Sequence, residues 1–242
     1  MHAAIITGVS RGLGEALAAQ LLTRGWTVIG VGRKSAARLR GERYRFVNAD
    51  LADVDVIEGK LSPPLTELAT SSPSTVVCVN NAAVAGPIGI GGRIPHREIA
   101  TSFAVNLVAP AAIANVFCRI FTDARQDRRI VNISSGAAQT PLPGSALYCA
   151  AKSGLEMMTR TLATEQGDDG IRIIALRPGI IDTDMQTMMR SQSEDVLPTA
   201  AMFRGFHAQR QLIAPDVAAE KIVEKILLAR VEQGATYKYS EL

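Results

Sequence analysis

Short runs of apolar, largely β-branched residues alternate along the chain with longer stretches of helical character. The runs are Ala3 to Thr7, Thr27 to Val31, Arg45 to Ala49, Thr75 to Val79, Arg129 to Ile133 and Ile171 to Leu176. Nearly every position within a run is apolar, rather than every second one, so each reads as a strand buried on both faces of a parallel sheet. "ATYKY" (Ala235 to Tyr239) is expected to close the pattern as a further strand. Helices are predicted over Gly12 to Thr23, Val54 to Ala69, Arg97 to Phe121, Ser145 to Gln166 and Pro215 to Val231. Pro110 lies inside the third and should kink it or disturb one turn. This alternation of strand and helix predicts an α/β fold of Rossmann type, a doubly wound parallel sheet of about seven strands with helices on both faces.

Two segments lack a regular pattern and are expected to be long loops: Asn80 to His96, rich in Gly and Pro, and Asp182 to Ala214. Loops of that length inside a compact domain usually serve a site. The second carries Met185, Met188, Met189, Met202, Phe203 and Phe206. Such adaptable apolar side chains suit the wall of a substrate pocket, and the segment reads as a substrate lid.

A chain of 242 residues can bury one large core, and a single domain over 1–242 is expected. Its 47% hydrophobic and 20% charged residues are ordinary for a soluble globular protein. No run approaches the ~18 consecutive apolar residues of a membrane span. The opening "MHAAIITG" shows no basic leader, and Cys78, Cys118 and Cys149 have no C-x-x-C spacing. A cytoplasmic location without a disulfide framework is therefore expected. His2, His96 and His207 lie far apart, so no metal site is assigned. The net charge of +3 is scattered, with its densest cluster at Arg38 to Arg45, and suits an anionic small molecule better than nucleic acid.

Directly after the first strand comes "TGVSRGLGEAL", with Gly8, Gly12 and Gly14 opening a helix. Glycines let the backbone approach a pyrophosphate, and a helix N-terminus offers free N–H groups and partial positive charge. This combination predicts a dinucleotide cradle. NAD-binding proteins commonly end the second strand with an acid that holds the ribose 2′-hydroxyl. Here the strand ends Gly32, Arg33, Lys34, with no carboxylate to repel a 2′-phosphate. Arg33 offers a planar fork to bind that phosphate, and Arg11 in the first turn supplies a second cation, so NADP(H) is the expected cofactor.

Tyr148 and Lys152 are four residues apart in "ALYCAAK" and so neighbours on one helix face. An ammonium beside a phenol favours the phenolate, so the phenol pKa is expected to fall toward neutrality, where it can pass a proton. Taken alone, the pair is equally a half-buried aromatic beside a solvated charge.

Together these residues resemble the short-chain dehydrogenase/reductase family. Its T-G-x-x-x-G-x-G turn is similar to Thr7 to Gly14, and its Y-x-x-x-K to Tyr148 to Lys152. Asp50 and Leu51, the stretch Asn80 to Ala83, Asn106, "VNISS" and the turn Pro178-Gly179 follow in the family's order. The resemblance covers nearly the whole chain. It implies that Tyr148 gives a proton to a carbonyl oxygen while the nicotinamide gives hydride to carbon. It further implies that Lys152 lowers the phenol pKa and binds the nicotinamide ribose, that Ser135, thirteen positions before the tyrosine, polarises the carbonyl, and that Asn106 steadies a water chain to Lys152. Ser134 is the rival for Ser135. For the cofactor it implies contacts from Gly8, Ser10, Arg11, Gly12, Leu13 and Gly14 in the turn, and from Arg33, Asp50, Leu51, Asn80 and Ala82. Tyr148, Lys152, Pro178, Gly179, Ile181 and Thr183 complete the set.

Within the family the likeness is nearest to sepiapterin reductases and bacterial benzil reductases, around "VNISSGAA", "ALYCAAK" and "RPGIIDTDMQ". This implies NADPH-dependent reduction of a ketone or benzil-like α-diketone, with pterin side-chain reduction or a non-catalytic cofactor sensor as alternatives. Ala83 departs from the family's glycine. Lys238 stands where sepiapterin reductases carry an aspartate, and a cation facing the pterin's amino edge should repel it. A homodimer or homotetramer, as is usual in the family, is expected through the Ala-rich faces of Arg97 to Phe121 and Ser145 to Gln166.

Overall fold

Each apolar run forms a strand in the computed structural model of the protein, which describes residues 1–242. The strands are β1 (His2–Thr7), β2 (Thr27–Gly32), β3 (Tyr44–Asn48), β4 (Thr75–Asn80), β5 (Asp127–Ile133), β6 (Arg172–Arg177) and β7 (Thr236–Lys238). They form one parallel sheet in the order β3-β2-β1-β4-β5-β6-β7. The chain winds outward from β1 to β3, then returns to lay β4 on the other side of β1. The direction of winding reverses between β1 and β4, and in open α/β sheets ligand crevices form at the carboxyl ends of the strands at such a point.

The helices are α1 (Gly12–Thr23), α2 (Val56–Thr70), α3 (His96–Phe103), α4 (Ala109–Ile120), α5 (Ala146–Gln166), α6 (Asp184–Arg190), α7 (Ala200–Ala208) and α8 (Pro215–Ile222). Successive strand residues face opposite layers, which is why the central runs are mostly apolar, whereas β3 at the sheet edge is only partly buried and carries Arg45 and Asn48. Ala4, Ile6, Val77, Val79, Val131 and Ile174 pack under α1 and α8. Ala3, Ile5, Val76, Cys78, Ile130 and Ile173 pack under α2 and α4.

The third helix is continuous from His96 to Ile120 but changes its winding at a π-helical turn, Ala104–Val108, between α3 and α4. Ala109 N–H donates to the Ala104 carbonyl five residues back. The disturbance foreseen from Pro110 is thus a shift of the hydrogen-bond ladder: Pro110 has no N–H for the Asn106 carbonyl, its α-helical partner. With 25 residues and a mean hydropathy of 1.6 over its most apolar stretch, this helix has the length and composition of a membrane span, although no unbroken apolar run foretold one. Here Ala109, Ile113, Ala114, Val116 and Phe117 are core residues.

Two sequence expectations are corrected. Asp182 to Ala214 is not an irregular loop, since it contains α6 and α7. Met185, Met188 and Met189 recur at helical spacing, and with Ala85, Ile88, Leu197, Ala200 and Phe203 they form a third small core. The last helix does not run to Val231: α8 passes into a π turn, Val223–Leu227, and stops. There the buried Arg129 guanidinium donates to the Ile226, Leu227 and Ala229 carbonyls, satisfying a helix end that would otherwise be bare. Asn80 to His96 beyond β4 is irregular, as expected.

Phe117 is fully buried, with its ring centroid 4.7 Å from that of Phe121. Phe117→Ala should lower unfolding stability by about 3–5 kcal/mol in a urea titration. A loss below about 1 kcal/mol would show that this layer is not closely packed.

Candidate active site

The site begins where β1 and β4 end side by side. Thr7 Oγ1 accepts from the backbone N–H of Asn81 and of Ala82, each at 2.9 Å, and so binds the two strand ends together. Asn81 Nδ2 donates to the Thr7 carbonyl at 2.8 Å and approaches the Gly8 carbonyl at 3.4 Å. Gly8 turns the chain at φ +75°. A Cβ added at Gly14 would lie 2.3 Å from the Gly8 carbonyl oxygen and 2.4 Å from Asn81 Nδ2, so α1 can start this close to the turn only because residue 14 has no side chain.

In front of this turn lies a cleft of about 1020 Å³. Gly8, Ser10, Arg11, Gly12 and Leu13 line it from the turn, and Arg33, Asp50 and Leu51 from the ends of β2 and β3. Ala82 and Thr183 complete the expected residues that reach it, and Ala83 borders it too. Arg33 and Lys34 are exposed and take part in no ion pair, whereas Arg11 reaches across the mouth to Asp184 of α6 at 2.9 Å. Asp50 Oδ1 accepts from Ala52 N–H at 3.0 Å and shapes the next turn.

Other expected cofactor residues stand behind the cleft wall. Asn80 is directed along the sheet, where its Nδ2 donates to Asn132 Oδ1 at 2.8 Å, and Asn81 is the asparagine that faces the cleft. Pro178 and Gly179 follow β6, with Gly179 at φ +79°. Ile181 is buried and pairs with Ile213, while Asp182 N–H donates to the Ile213 carbonyl at 2.9 Å. These bonds present Thr183 to the cleft, where a Cβ on Gly12 would come within 3.1 Å of it.

A second cluster sits at the end of β5. Ser135 accepts from Ala137 N–H at 3.2 Å, capping a single 3₁₀ turn, Gly136–Ala138. On α5, Lys152 is 2% exposed; its Nζ donates to the Ile133 carbonyl at 2.7 Å and lies 5.7 Å from the centroid of the Tyr148 ring. Ser134, the rival serine, is engaged elsewhere, its Oγ donating to Glu156 at 2.6 Å. Asn106 is fully buried, and its amide clasps both backbone groups of Val84, accepting at 3.0 Å and donating at 2.8 Å. Its side chain thus holds a cleft wall, and its carbonyl is the group that Pro110 leaves without an α-helical donor.

The electrostatics correct one expectation. The Tyr148 pKa is raised, not lowered: burial dominates, and the Ser135 hydroxyl only partly opposes it. The lysine is itself desolvated, burial pulling its pKa down to about 8 against the support of the Glu156 charge. Its Nζ is bonded to a carbonyl rather than to the phenol, so its pull on the phenol's proton does not outweigh burial. Lys238 is half exposed and bonds Glu241 at 2.7 Å.

The sequence reading missed Asn81, Thr7 and Lys34 as site residues. The Asn80-Asn81 doublet at a strand end was the available signal, but choosing between its members requires knowing that β4 lies beside β1.

The chain belongs to the short chain dehydrogenase family, whose pattern matches residues 2–194. It is 30% identical to a benzil reductase ((S)-benzoin forming) of Bacillus cereus over the full length of both. It is also 30% identical to a sepiapterin reductase of Xenopus laevis, over 79% of this chain and 78% of that one. Among solved structures, a short chain dehydrogenase of Burkholderia cenocepacia in complex with NADP is 26% identical and superposes with a TM-score of 0.77, covering 98% of this chain and 95% of the other. A 3-ketoacyl-(acyl-carrier-protein) reductase of Brucella melitensis complexed with NADH is 25% identical, with a TM-score of 0.77 over 98% and 96% of the two chains. These relationships establish an oxidoreductase of the class that uses NAD(P)(H).

Burying Lys152 predicts a pH effect on stability. Its folded pKa of about 8 lies below the unfolded value of 10.5, so between these the unfolded chain binds more protons and stability rises with pH. Relative to Lys152→Met, the parent protein should gain roughly 2 kcal/mol between about pH 7 and about pH 9.5 in denaturant titrations. A constant difference would show that the lysine titrates as in water.

Proposed function

We propose that the chain is an NADPH-dependent carbonyl reductase that converts a ketone or benzil-like α-diketone to an alcohol. The observation that supports this reading most is the grouping of Tyr148, Ser135 and the buried Lys152 at the end of β5, with the Ser135 hydroxyl hydrogen-bonded to the phenol and the lysine ammonium 5.7 Å from its ring. A group that donates a proton must hold it at the working pH, and the phenol does so at neutral pH.

The residues fit a dinucleotide. The contact between Gly8 and Gly14 leaves the turn bare for a pyrophosphate, and the start of α1 faces it. The unpaired Arg33 and Lys34 suit a 2′-phosphate at the adenosine end, and Arg11 can leave its exposed, weak pairing with Asp184 to join them. Bound there, NADPH supplies hydride for the carbonyl carbon. The Ser135 hydroxyl holds the carbonyl oxygen, Tyr148 passes its proton to that oxygen, and the buried Lys152 ammonium favours the phenolate left behind. Asn106 fixes Val84, and its carbonyl, freed by Pro110, is the acceptor for a water on the path that reprotonates Lys152.

Met185, Met188, Ile88, Leu197 and Phe203 make an adaptable apolar wall suited to aryl groups. In this reading the whole chain is one domain and residues 182–214 are its lid. The protein works in the cytoplasm as a homodimer or homotetramer, with the exposed Val108 beside α4 and Met157 on α5 available for subunit contact.

Tyr148→Phe should retain NADPH binding and lose at least about 100-fold in benzil reduction, followed by NADPH absorbance; unchanged turnover would refute the assignment. Arg33→Ala should raise the KM for NADPH about 10- to 100-fold and leave that for NADH unaltered. Equal effects on both cofactors would remove the case for NADPH.

A further inference from the structure

Beneath the Ser135 turn lies an ion pair that the proposed chemistry does not use. Arg177, the last residue of β6, donates through Nε to Glu156 Oε1 at 2.8 Å and through Nη2 to Oε2 at 2.7 Å, a bidentate fork. The side chains are 10% and 5% exposed. Each partner also reaches one flank of the turn. Ser134 Oγ donates to Glu156 Oε1 at 2.6 Å, and Arg177 Nη1 donates to Gln139 Oε1 at 2.6 Å. Residues 134 and 139 bracket Ser135 and the 3₁₀ turn it caps. Glu156 lies one helical turn beyond Lys152 on α5, two turns beyond Tyr148.

We propose that the Glu156–Arg177 pair is a positioning device, which fixes the turn carrying Ser135 against the helix carrying Tyr148 and Lys152. Desolvating two charges is costly, and well-packed apolar residues often serve stability equally well. What apolar residues do not supply is the directional hold on Ser134 and Gln139. Burial alone would raise the Glu156 pKa, but hydrogen bonds from Arg177 and Ser134 outweigh it and keep the carboxyl below its usual range, so the fork persists at neutral pH. The inference rests on the roles given above to Ser135 and Tyr148.

Two double variants test it. Glu156→Met with Arg177→Met replaces the pair by apolar side chains, while Ser134→Ala with Gln139→Leu cuts both ties to the turn and leaves the pair in place. Denaturation midpoint, NADPH affinity, and kcat and KM for benzil are measured for each. The Tyr148 phenol is titrated by its ¹³Cζ signal, assigned with Tyr148→Phe. Around that phenol lie Ser135 from the turn, and Cys149 and Lys152 on its own helix. Both variants should keep midpoints and NADPH affinities near those of the parent. Each should lose about 10- to 100-fold in kcat with little change in KM, as expected when positioning of reacting groups is lost; the first also removes the Glu156 charge that supports Lys152, so the second, which keeps that charge, reads positioning alone. The phenol should titrate at higher pH, having lost Ser135.

Parent-like kcat and parent-like phenol titration in the second variant would overturn the proposal, and so would a parent-like kcat in the first. If the first variant does not fold, the second decides. If the parent protein fails to reduce benzil, the proposed function is wrong on that substrate, and the phenol titration still decides the positioning role.

Discussion

A parallel sheet buried on both faces leaves only its edges for polar chemistry, and nearly every feature of this protein follows from that constraint. Strand interiors are largely apolar because both layers are dry, and the polar exceptions in β5, Arg129 and Asn132, are buried with hydrogen-bond partners. Thr7, Asn80, Ser134 and Arg177 mark the points where β1, β4, β5 and β6 reach the carboxyl edge. Each is buried and meets a partner from another element, so the edge is a connected polar seam. The order of strands decides who meets whom: Thr7 bonds Asn81 because β4 returned to the side of β1, and Arg177 meets Ser134 through Glu156 because β6 lies beside β5.

The same seam sets the electrostatics. Lys152 is held in a nearly dry place by one carbonyl, and burial weakens its hold on its proton. Tyr148 in the same surroundings keeps its proton more firmly. Desolvation thus disfavours the charged form of both groups, and it outweighs the direct attraction between ammonium and phenol that their spacing suggests. The Glu156 charge, itself anchored by Arg177, opposes the lysine's loss.

How much of this was legible in the sequence depends on the range of the interactions involved. The strands, α1 and the bounds of α5 follow from local pattern, and the observed elements match those readings to within a few residues. The glycine turn was legible because its chemistry is written in consecutive residues. What escaped was set by contacts far apart in the chain. Helices α6 and α7 were taken for loop because their apolar residues serve a small separate core with Ala85 and Ile88 rather than the sheet. Asn80 was preferred to Asn81 because nothing local tells which of two adjacent asparagines faces β1. The Tyr148 shift was misjudged in sign because spacing along a helix shows the charge four residues away but not the depth of burial.

The central claim is the proposed one, that carbonyl reduction here draws on a protonated phenol backed by a buried, protonated lysine. The most direct measurement is the pH dependence of kcat/KM for benzil with saturating NADPH. The account predicts a level rate through neutrality that falls as the pH passes about 8, where Lys152 gives up its proton. A rate that climbs steadily into the alkaline range would contradict it, because it would mean that the reaction needs the phenolate.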